Sequence, residues 1–464
     1  MSPGPGGGWL AGMARTLDTI AALATPAGTS ALALLRVSGP AAAAMAAAAL
    51  GETPPPRAAA YRDYRDLAGA VVDDVVATFY PGPHSYTGDD LLELSCHGNP
   101  FIVRKLLADL LARGCRPAGP GEFTQRAFLN GRMDLSQAEA VMDLIQARSE
   151  RGLAAAQQVL RGALGRHLAG LVDGLLGALA TVEAYIDFPD EDLPPEDRLR
   201  LAARIAAVLE GTERLLATER TGRLLRDGIA TVILGETNAG KSSLLNRMVG
   251  SERALVSAEP GTTRDFIEER VSMGPHALRL VDTAGLNAGA TGLELRGIEK
   301  TLERAAEADL YLVVLDATRP TPPLAPAVAS CIQITNTLYV LNKADLLGPA
   351  GAAAVVPAGF ASVRVSALAG QGMADLNAEL TRLAEGLQQT FGDERIAINV
   401  RHAHFLGEAR SCLMAAQAKV ASAGPAELLA SDLRGALVAL GEISGKVDNE
   451  RMLDQLFASF CIGK

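Results

Sequence analysis

Cysteine is scarce in this 464-residue sequence: the five at positions 96, 115, 331, 412 and 461 form no C-x-x-C pair and are odd in number. That excludes a disulfide scaffold and a zinc site as organising features, and it fits a reducing cytosol. Positive charge is also short. The formal net charge is −10 with 21% charged residues, so the bulk field repels nucleic acid, and any RNA contact has to come from a local basic patch or a partner. No apolar run of about 18 residues is free of charged or turn residues, which argues against a membrane span. Met1 to Gly12 is Gly/Pro-rich without a basic n-region and a long apolar core, so it does not read as a secretory signal. Met13 stands as an alternative start, because ordered-looking sequence begins at about Leu17.

What is present is organised around Ile229 to Asn246, IATVILGETNAGKSSLLN. A β-branched, apolar run enters Gly235, and the segment from there to Ser242 fits GxxxxGK[ST] before a helical Leu244-Leu245. Gly235 and Gly240 allow a tight turn whose N–H groups face a polyphosphate at a helix N-terminus. In that geometry Lys241 reaches the β- and γ-phosphates and Ser242 holds Mg²⁺. Asp282-Thr283-Ala284-Gly285 follows a strand from Ala277, placing an Asp at the Mg²⁺ shell and a Gly N–H at the γ-phosphate. Asn342-Lys343-Ala344-Asp345 follows another strand, and the Asp345 carboxylate can accept from guanine N1 and its exocyclic amine. Adenine lacks that pair of donors, so the site prefers GTP. Ser366, Ala367 and Leu368 close over the base. One group is missing: where Ras-like enzymes place a water-orienting Gln, this chain has Leu286.

Around this nucleotide domain, assigned to 228–385, the chain divides by texture. Residues 1–16 read as a disordered extension, and 17–132 as an α+β domain with strands at Val71 to Tyr80 and Leu91 to Cys96 and an amphipathic helix from Phe101 to Arg113. From Asp134 a capping box at Ser136 and Glu139 opens helical sequence continuing to about Ile186. The acidic break Asp187 to Pro195 reads as a solvated loop, and a helix from Asp197 to Leu225 follows. Helical sequence returns over 386–464, with Leu429, Leu433, Leu437 and Leu440 on one face. Helical segments at 133–227 and 386–464 thus flank the nucleotide domain, which reads as an insertion. The ending FASFCIGK fits prenylation preferences poorly, so Cys461 reads as a buried or functional thiol.

Ten blocks occur in family order from about Leu17 to Lys464: DTIAALATPAG, LLRVSGP, FYPGPHSYTGDD, GEFTQRAFLNGRMDLSQAEAVMDLI, YIDFPDED, NAGKSSLLN, PGTTRD, DTAGL, NKAD and FCIGK. On these the chain resembles the MnmE (TrmE) family of tRNA modification GTPases. The resemblance implies an α/β and α multidomain fold: an N-terminal α+β tetrahydrofolate-binding-like domain, a helical domain and an inserted Ras-like P-loop GTPase domain. It implies a homodimer through the N-terminal domain. A folate derivative, 5-formyl- or 5,10-methylene-tetrahydrofolate, would sit at the positions matching Arg36, Glu93, Arg132 and Lys464, although the family carries Lys where this chain has Arg132. The Gly-rich run after the first strand is also altered, to Gly28-Thr29-Ser30-Ala31.

For the nucleotide domain the resemblance implies that K⁺ sits where other enzymes place an arginine finger. Its matching ligands are Asn238, Ser257 (usually Thr), Glu259 and Thr262, on the loop that also carries Ala258, Pro260 and Gly261. Thr263 matches the Mg²⁺ switch residue beside Ser242, and Ser243 belongs to the same nucleotide loop. Glu294 matches the residue that positions water, acting in catalysis with Lys241 and Asn238 in place of the missing Gln. Cys461 is a candidate thiol for one-carbon chemistry by position.

Family membership further implies a cytoplasmic, membrane-free enzyme. With a flavin-containing partner, MnmG, in a heterotetramer carrying FAD and NADH, such proteins add a carboxymethylaminomethyl or aminomethyl group at C5 of wobble uridine 34 of certain tRNAs. The rival class is a regulatory switch GTPase acting in ribosome assembly, but such proteins append a basic RNA-binding module, whereas this chain ends in an acidic-to-neutral helical region. A folate transferase with a vestigial nucleotide domain is opposed by the intact Lys241, Ser242, Thr263, Asp282 and Asp345.

Overall fold

A computed structural model describes residues 18–187, 195–250, 268–282, 308–324, 326–348, 351–387 and 396–445, with residues 453, 456–458 and 460–463 near the end. They belong to two units, 1–142 with 441–464, and 143–440. The mixed fold inferred from the sequence is the one observed.

In the first unit, alternating side chains build a six-stranded sheet. The strands are Ile20–Leu23 (β1), Leu32–Ser38 (β2), Ala60–Arg65 (β3), Val71–Tyr80 (β4), Leu91–His97 (β5) and Arg116–Pro117 (β6), in the order β3-β4-β5-β2-β1-β6. Helices Ala42–Leu50 (α1) and Pro100–Ala112 (α2) cover one face, burying Leu35, Val37, Ala46, Leu94, Leu106 and Leu110 together. Asn99 caps α2, its side chain accepting from the Phe101 N–H with Pro100 at the first turn. The opposite face carries Ile20, Ala22, Leu91 and Phe123, the last from helix Glu122–Leu129 (α3).

Helix Leu135–Gln146 (α4) opens two residues earlier than the sequence pattern suggests. Asp134 Oδ1 accepts from the Gln137 N–H at 2.8 Å and from the Ser136 hydroxyl at 2.6 Å, while Gln137 Oε1 accepts from the Asp134 N–H at 2.9 Å. The reciprocal box is therefore Asp134 with Gln137, not Ser136 with Glu139. The end of the chain packs in this same unit: Leu453, Phe457 and Phe460 join Phe128, Leu135, Ala138 and Met142 in one cluster. Ile462 bridges to Pro120 as an isolated β-pair. Gly463 has φ +93° and its Cα faces the Leu23 carbonyl so closely that a Cβ would lie 2.4 Å from it, which glycine alone accommodates.

The second unit joins helices to a parallel sheet. Helices Glu150–Leu160 (α5) and Ala163–Asp187 (α6) replace the single helical run expected from composition. Ser149 caps α5 through its side chain, and Gly162, at φ +79°, ends it. Likewise Pro195–Ala217 (α7) and Glu219–Asp227 (α8) are two helices, divided at Thr218, where one was expected. The acidic loop Phe188–Pro194 lies outside the described residues. By length and composition α6 is apolar enough to cross a bilayer, with a mean hydropathy of 1.4, where the sequence pattern suggested no such run. Its buried residues Leu164, Leu168, Leu175, Ala178 and Val182 fall on one stripe, the pattern of an amphipathic core-facing helix.

The sheet comprises Ile229–Leu234 (β7), Glu268–Met273 (β8), His276–Asp282 (β9), Leu310–Asp316 (β10), Thr337–Asn342 (β11) and Ala361–Arg364 (β12), ordered β12-β11-β10-β7-β9-β8. All are parallel except the β8–β9 hairpin. Strands β7 and β11 are buried along their whole length, which is why they read as unbroken apolar runs rather than alternating ones. Helix Lys241–Gly250 (α9) follows β7, the short Pro326–Ala329 (α10) precedes β11, and Met373–Leu387 (α11) follows β12. Helices Val400–Ala421 (α12) and Ala426–Ser444 (α13) follow, with Leu429, Leu433 and Leu440 of α13 buried and Leu437 half-buried.

Candidate active site

The turn from β7 into α9 is built on three residues with positive φ: Gly235 at +147°, Asn238 at +65° and Gly240 at +93°. A Cβ on Gly235 would lie 2.2 Å from the Val314 carbonyl of β10, so close approach of the neighbouring strand also demands glycine. Lys241 Nζ donates to the carbonyls of Gly235 and Glu236, both at 2.8 Å, closing the loop around its own lysine. Ser242 and Ser243 are exposed at the first turn of α9, whose buried Leu244, Leu245, Met248 and Val249 anchor it to the sheet. A helix start offering exposed hydroxyls and backbone N–H groups suits a phosphate and a hard cation.

The loops after β11 and β12 are wired to this turn by one amide. Asn342, at the end of β11 and only 3% exposed, donates from Nδ2 to the Ala239 carbonyl at 2.9 Å. Its Oδ1 accepts from the Ala367 N–H at 3.0 Å. Lys343 sits in the left-handed region at φ +63°, and its Nζ pairs with Asp316 Oδ2 at 2.7 Å. Burial would raise the Asp316 carboxyl, but the Lys343 ammonium with the Thr318 hydroxyl and N–H outweighs it and holds it at about 2. Asp345 is exposed on the 3₁₀ turn Ala344–Leu346, whose Ala344 N–H donates to Val365 O at 3.0 Å. Ser366 is buried, its Oγ accepting from the Ala369 N–H, while Leu368 stands out at 86% exposure.

Asn238, Ala239, Gly240, Lys241, Ser242 and Ser243 therefore form one loop, with Asn342, Lys343, Ala344, Asp345, Ser366, Ala367 and Leu368 in the loops adjoining it. Asp282 ends β9, next to β7 in the sheet. Ser257, Ala258, Glu259, Pro260, Gly261, Thr262, Thr263, Thr283, Ala284, Gly285, Leu286 and Glu294 lie outside the described residues. Sequence reasoning missed Asp316; the signal available was an acid ending an apolar strand, LYLVVLD.

In the first unit, Arg36 and Glu93 stand opposite each other in the β2–β5 register, with Arg36 Nε donating to Glu93 Oε1 at 2.9 Å. Arg36 Nη1 reaches the Gly463 carbonyl at 3.4 Å, and its guanidinium lies 5.5 Å from the Tyr86 ring centroid. Burial pushes the Tyr86 phenol up, and its OH pairs with the Thr124 hydroxyl at 2.8 Å. A carboxylate, a cation and an aromatic face side by side suit a flat heterocycle with amide donors and an anionic tail. Arg132 is exposed beside the Gly88 turn, where its Cγ would be 3.3 Å from a Cβ on Gly88. Lys464 lies outside the described residues. Cys461 is exposed, and its carbonyl accepts from the Gly121 N–H at 3.2 Å. Among the described residues no group of three or more His, Cys, Asp or Glu is arranged to hold a metal.

Two family models match: "GTP-binding protein TrmE N-terminus" over residues 19–132 and "MnmE helical domain" over 135–461. A relative from Opitutus terrae, named tRNA modification GTPase MnmE, is 59% identical over 447 residues, covering 96% of this chain and 99% of its own length. Relatives of the same name from Akkermansia muciniphila and Symbiobacterium thermophilum are 44% and 42% identical, each across 96% of this chain and 99% of theirs. With both family models matched and that identity running nearly end to end, the chain belongs to the MnmE family of tRNA modification GTPases.

Proposed function

We propose that this chain hydrolyses GTP to drive, with a flavin-containing MnmG partner, installation of a carboxymethylaminomethyl or aminomethyl group at C5 of wobble uridine 34 in certain tRNAs. The observation that carries the nucleotide half of this reading is the Asn342 amide spanning Ala239 and Ala367, which ties phosphate binding to base binding in one rigid unit. Lys241 and the N–H groups opening α9 would bind the phosphates, with Ser242 and Thr263 holding Mg²⁺, which supplies charge neutralisation there. Asn238, exposed in the left-handed region, would hold K⁺ with Ser257, Glu259 and Thr262, and the ion would supply positive charge in place of an arginine finger when two nucleotide domains meet. Glu294 would orient the attacking water. Arg36, Glu93, Arg132 and Lys464 would bind the tetrahydrofolate derivative, 5-formyl or 5,10-methylene, which supplies the one-carbon unit. The chain would act as a cytoplasmic homodimer through its first unit, in a heterotetramer whose partner carries FAD and NADH. Hydrolysis gates a conformational step rather than entering the product.

Nucleoside mass spectrometry of bulk tRNA tests this. Deletion should remove the C5-aminomethyl-type uridines, and the wild-type chain should restore them while Glu294→Ala does not. An unchanged uridine profile on deletion overturns the tRNA reading.

A further inference from the structure

On a chain of net charge −10, one cleft of the second unit runs against the field. Its volume is about 560 Å³, and Arg220, Arg223, Arg226 and Arg401 line it against two carboxylates, Glu219 and Asp227. Three of the arginines come from α8 at three-residue spacing, on the side opposite its buried Leu224 and Leu225. Arg223 is held by Asp309, with Nη2 to Oδ1 at 2.6 Å. Arg226 donates to the Ile398 carbonyl at 3.0 Å, a neutral acceptor, and makes no ion pair among the described residues. Arg220 is exposed and makes no ion pair among the described residues. The fourth arginine stands at the start of α12, a 22-residue helix whose N-terminal dipole adds to the same potential.

We propose that this cleft binds the sugar–phosphate backbone of tRNA, an inference that rests on the tRNA reading above. Planar guanidinium forks match phosphate oxygens two at a time, and Arg220 and Arg226, on either side of the Asp309-paired Arg223, stand about 9 Å apart along the helix, which addresses a strand of charges rather than a single ion. The cleft also lies away from the nucleotide. Helix α8 enters β7 through Asp227 and Gly228, and Asp309, just before β10, accepts from the Ala230 N–H at 3.1 Å. These are the N-terminal ends of parallel strands whose C-terminal ends carry the phosphate loop. RNA held here leaves the GTP site free and sits on the joint between the helices and the nucleotide sheet.

The test is fluorescence anisotropy of an end-labelled, unmodified tRNA transcript titrated with the full-length protein at several KCl concentrations. The double variant Arg220→Glu/Arg401→Glu should bind about tenfold or more weakly and lose about two from the slope of log K against log salt. Arg220→Lys/Arg401→Lys should keep the slope, and Arg200→Glu/Arg382→Glu, two exposed arginines outside the cleft, should leave affinity as in wild type. GTP turnover without tRNA and thermal unfolding should match wild type in both cleft variants, which separates lost binding from lost folding. Wild-type affinity and slope in Arg220→Glu/Arg401→Glu overturn the proposal, as does competition by inorganic polyphosphate equal per phosphate to that of tRNA. If deletion removes the modified uridines while the double variant binds tRNA normally, the cleft assignment falls and the pathway stands.

Discussion

The Asn342 side chain donates to the Ala239 carbonyl at 2.9 Å, so the residue that ends β11 also braces the turn from β7 into α9. Asn342→Ala would strand that buried carbonyl and the Ala367 N–H, each at a cost of about 1–3 kcal/mol. With about 1.4–2.8 kcal/mol of that cost falling on the nucleotide-bound form, guanine nucleotide affinity should fall by about tenfold to a hundredfold, at about 1.4 kcal/mol per factor of ten. Titration with a fluorescent GDP analogue reads this directly, and unchanged affinity would mean the loops are braced by something else.

Asp316 gives a pH signature. Its folded carboxyl sits at about 2 under the Lys343 and Thr318 contacts, below the ordinary carboxylate value of about 3.9. A depressed carboxyl contributes stability that is present above the unfolded value and lost as pH falls through the folded one. The stability difference between wild type and Asp316→Asn should therefore be full at about pH 5 and decline between about pH 4 and 2. Denaturant unfolding at a series of pH values measures it; a difference that holds constant down to about pH 3 contradicts the assignment.

The thiols should react unequally. Burial pushes Cys96 and Cys115 up to about 11, with Asp73 adding to the effect at Cys96, well above the free-thiol value of about 8.5. Cys461 is exposed. Brief alkylation of the native protein near pH 8, followed by peptide mass mapping, should label Cys461 first and leave Cys96 and Cys115 unmodified until denaturation. Early labelling of Cys96 would show that its strand opens. Separately, full tRNA modification by Cys461→Ser would remove its thiol from the one-carbon chemistry.

Turnover should depend on the monovalent cation. At equal ionic strength GTP hydrolysis should be severalfold faster in KCl than in NaCl, and equal rates would remove K⁺ from the mechanism. Glu294→Ala should retain nucleotide affinity while losing about a hundredfold or more of turnover, the loss expected when a positioned proton-handling group is removed. Unchanged turnover would remove Glu294 from the mechanism.

The nucleotide site was legible in the sequence because its backbone demands are chemically narrow. Only glycine fits at 235 against the Val314 carbonyl, and a fully buried parallel strand before it must be apolar throughout. Asp316 was not legible, since an acid after an apolar strand acquires its role only when β10 lies beside β11 and brings Lys343 within reach. The joints at Ser149, Gly162 and Thr218 were also hidden. Alanine and leucine favour helix on either side, so composition alone cannot show where one helix yields to the next.

The segment around Phe457 to Gly463 has a consequence for the order in which the protein can be made. Phe457 and Phe460 seal the cluster of Phe128 and Leu135, and Arg36 reaches a carbonyl 427 residues further along the chain. The first unit to leave the ribosome thus lacks part of its own interior until the chain has been made as far as Phe460. Its final closure is among the most non-local events in the molecule, and by the cost of such loops among the slower ones. A nascent chain stalled before Phe457 would leave Phe128 of α3 and Leu135 of α4 without that cover, a surface for chaperones to shield while the nucleotide domain folds behind it.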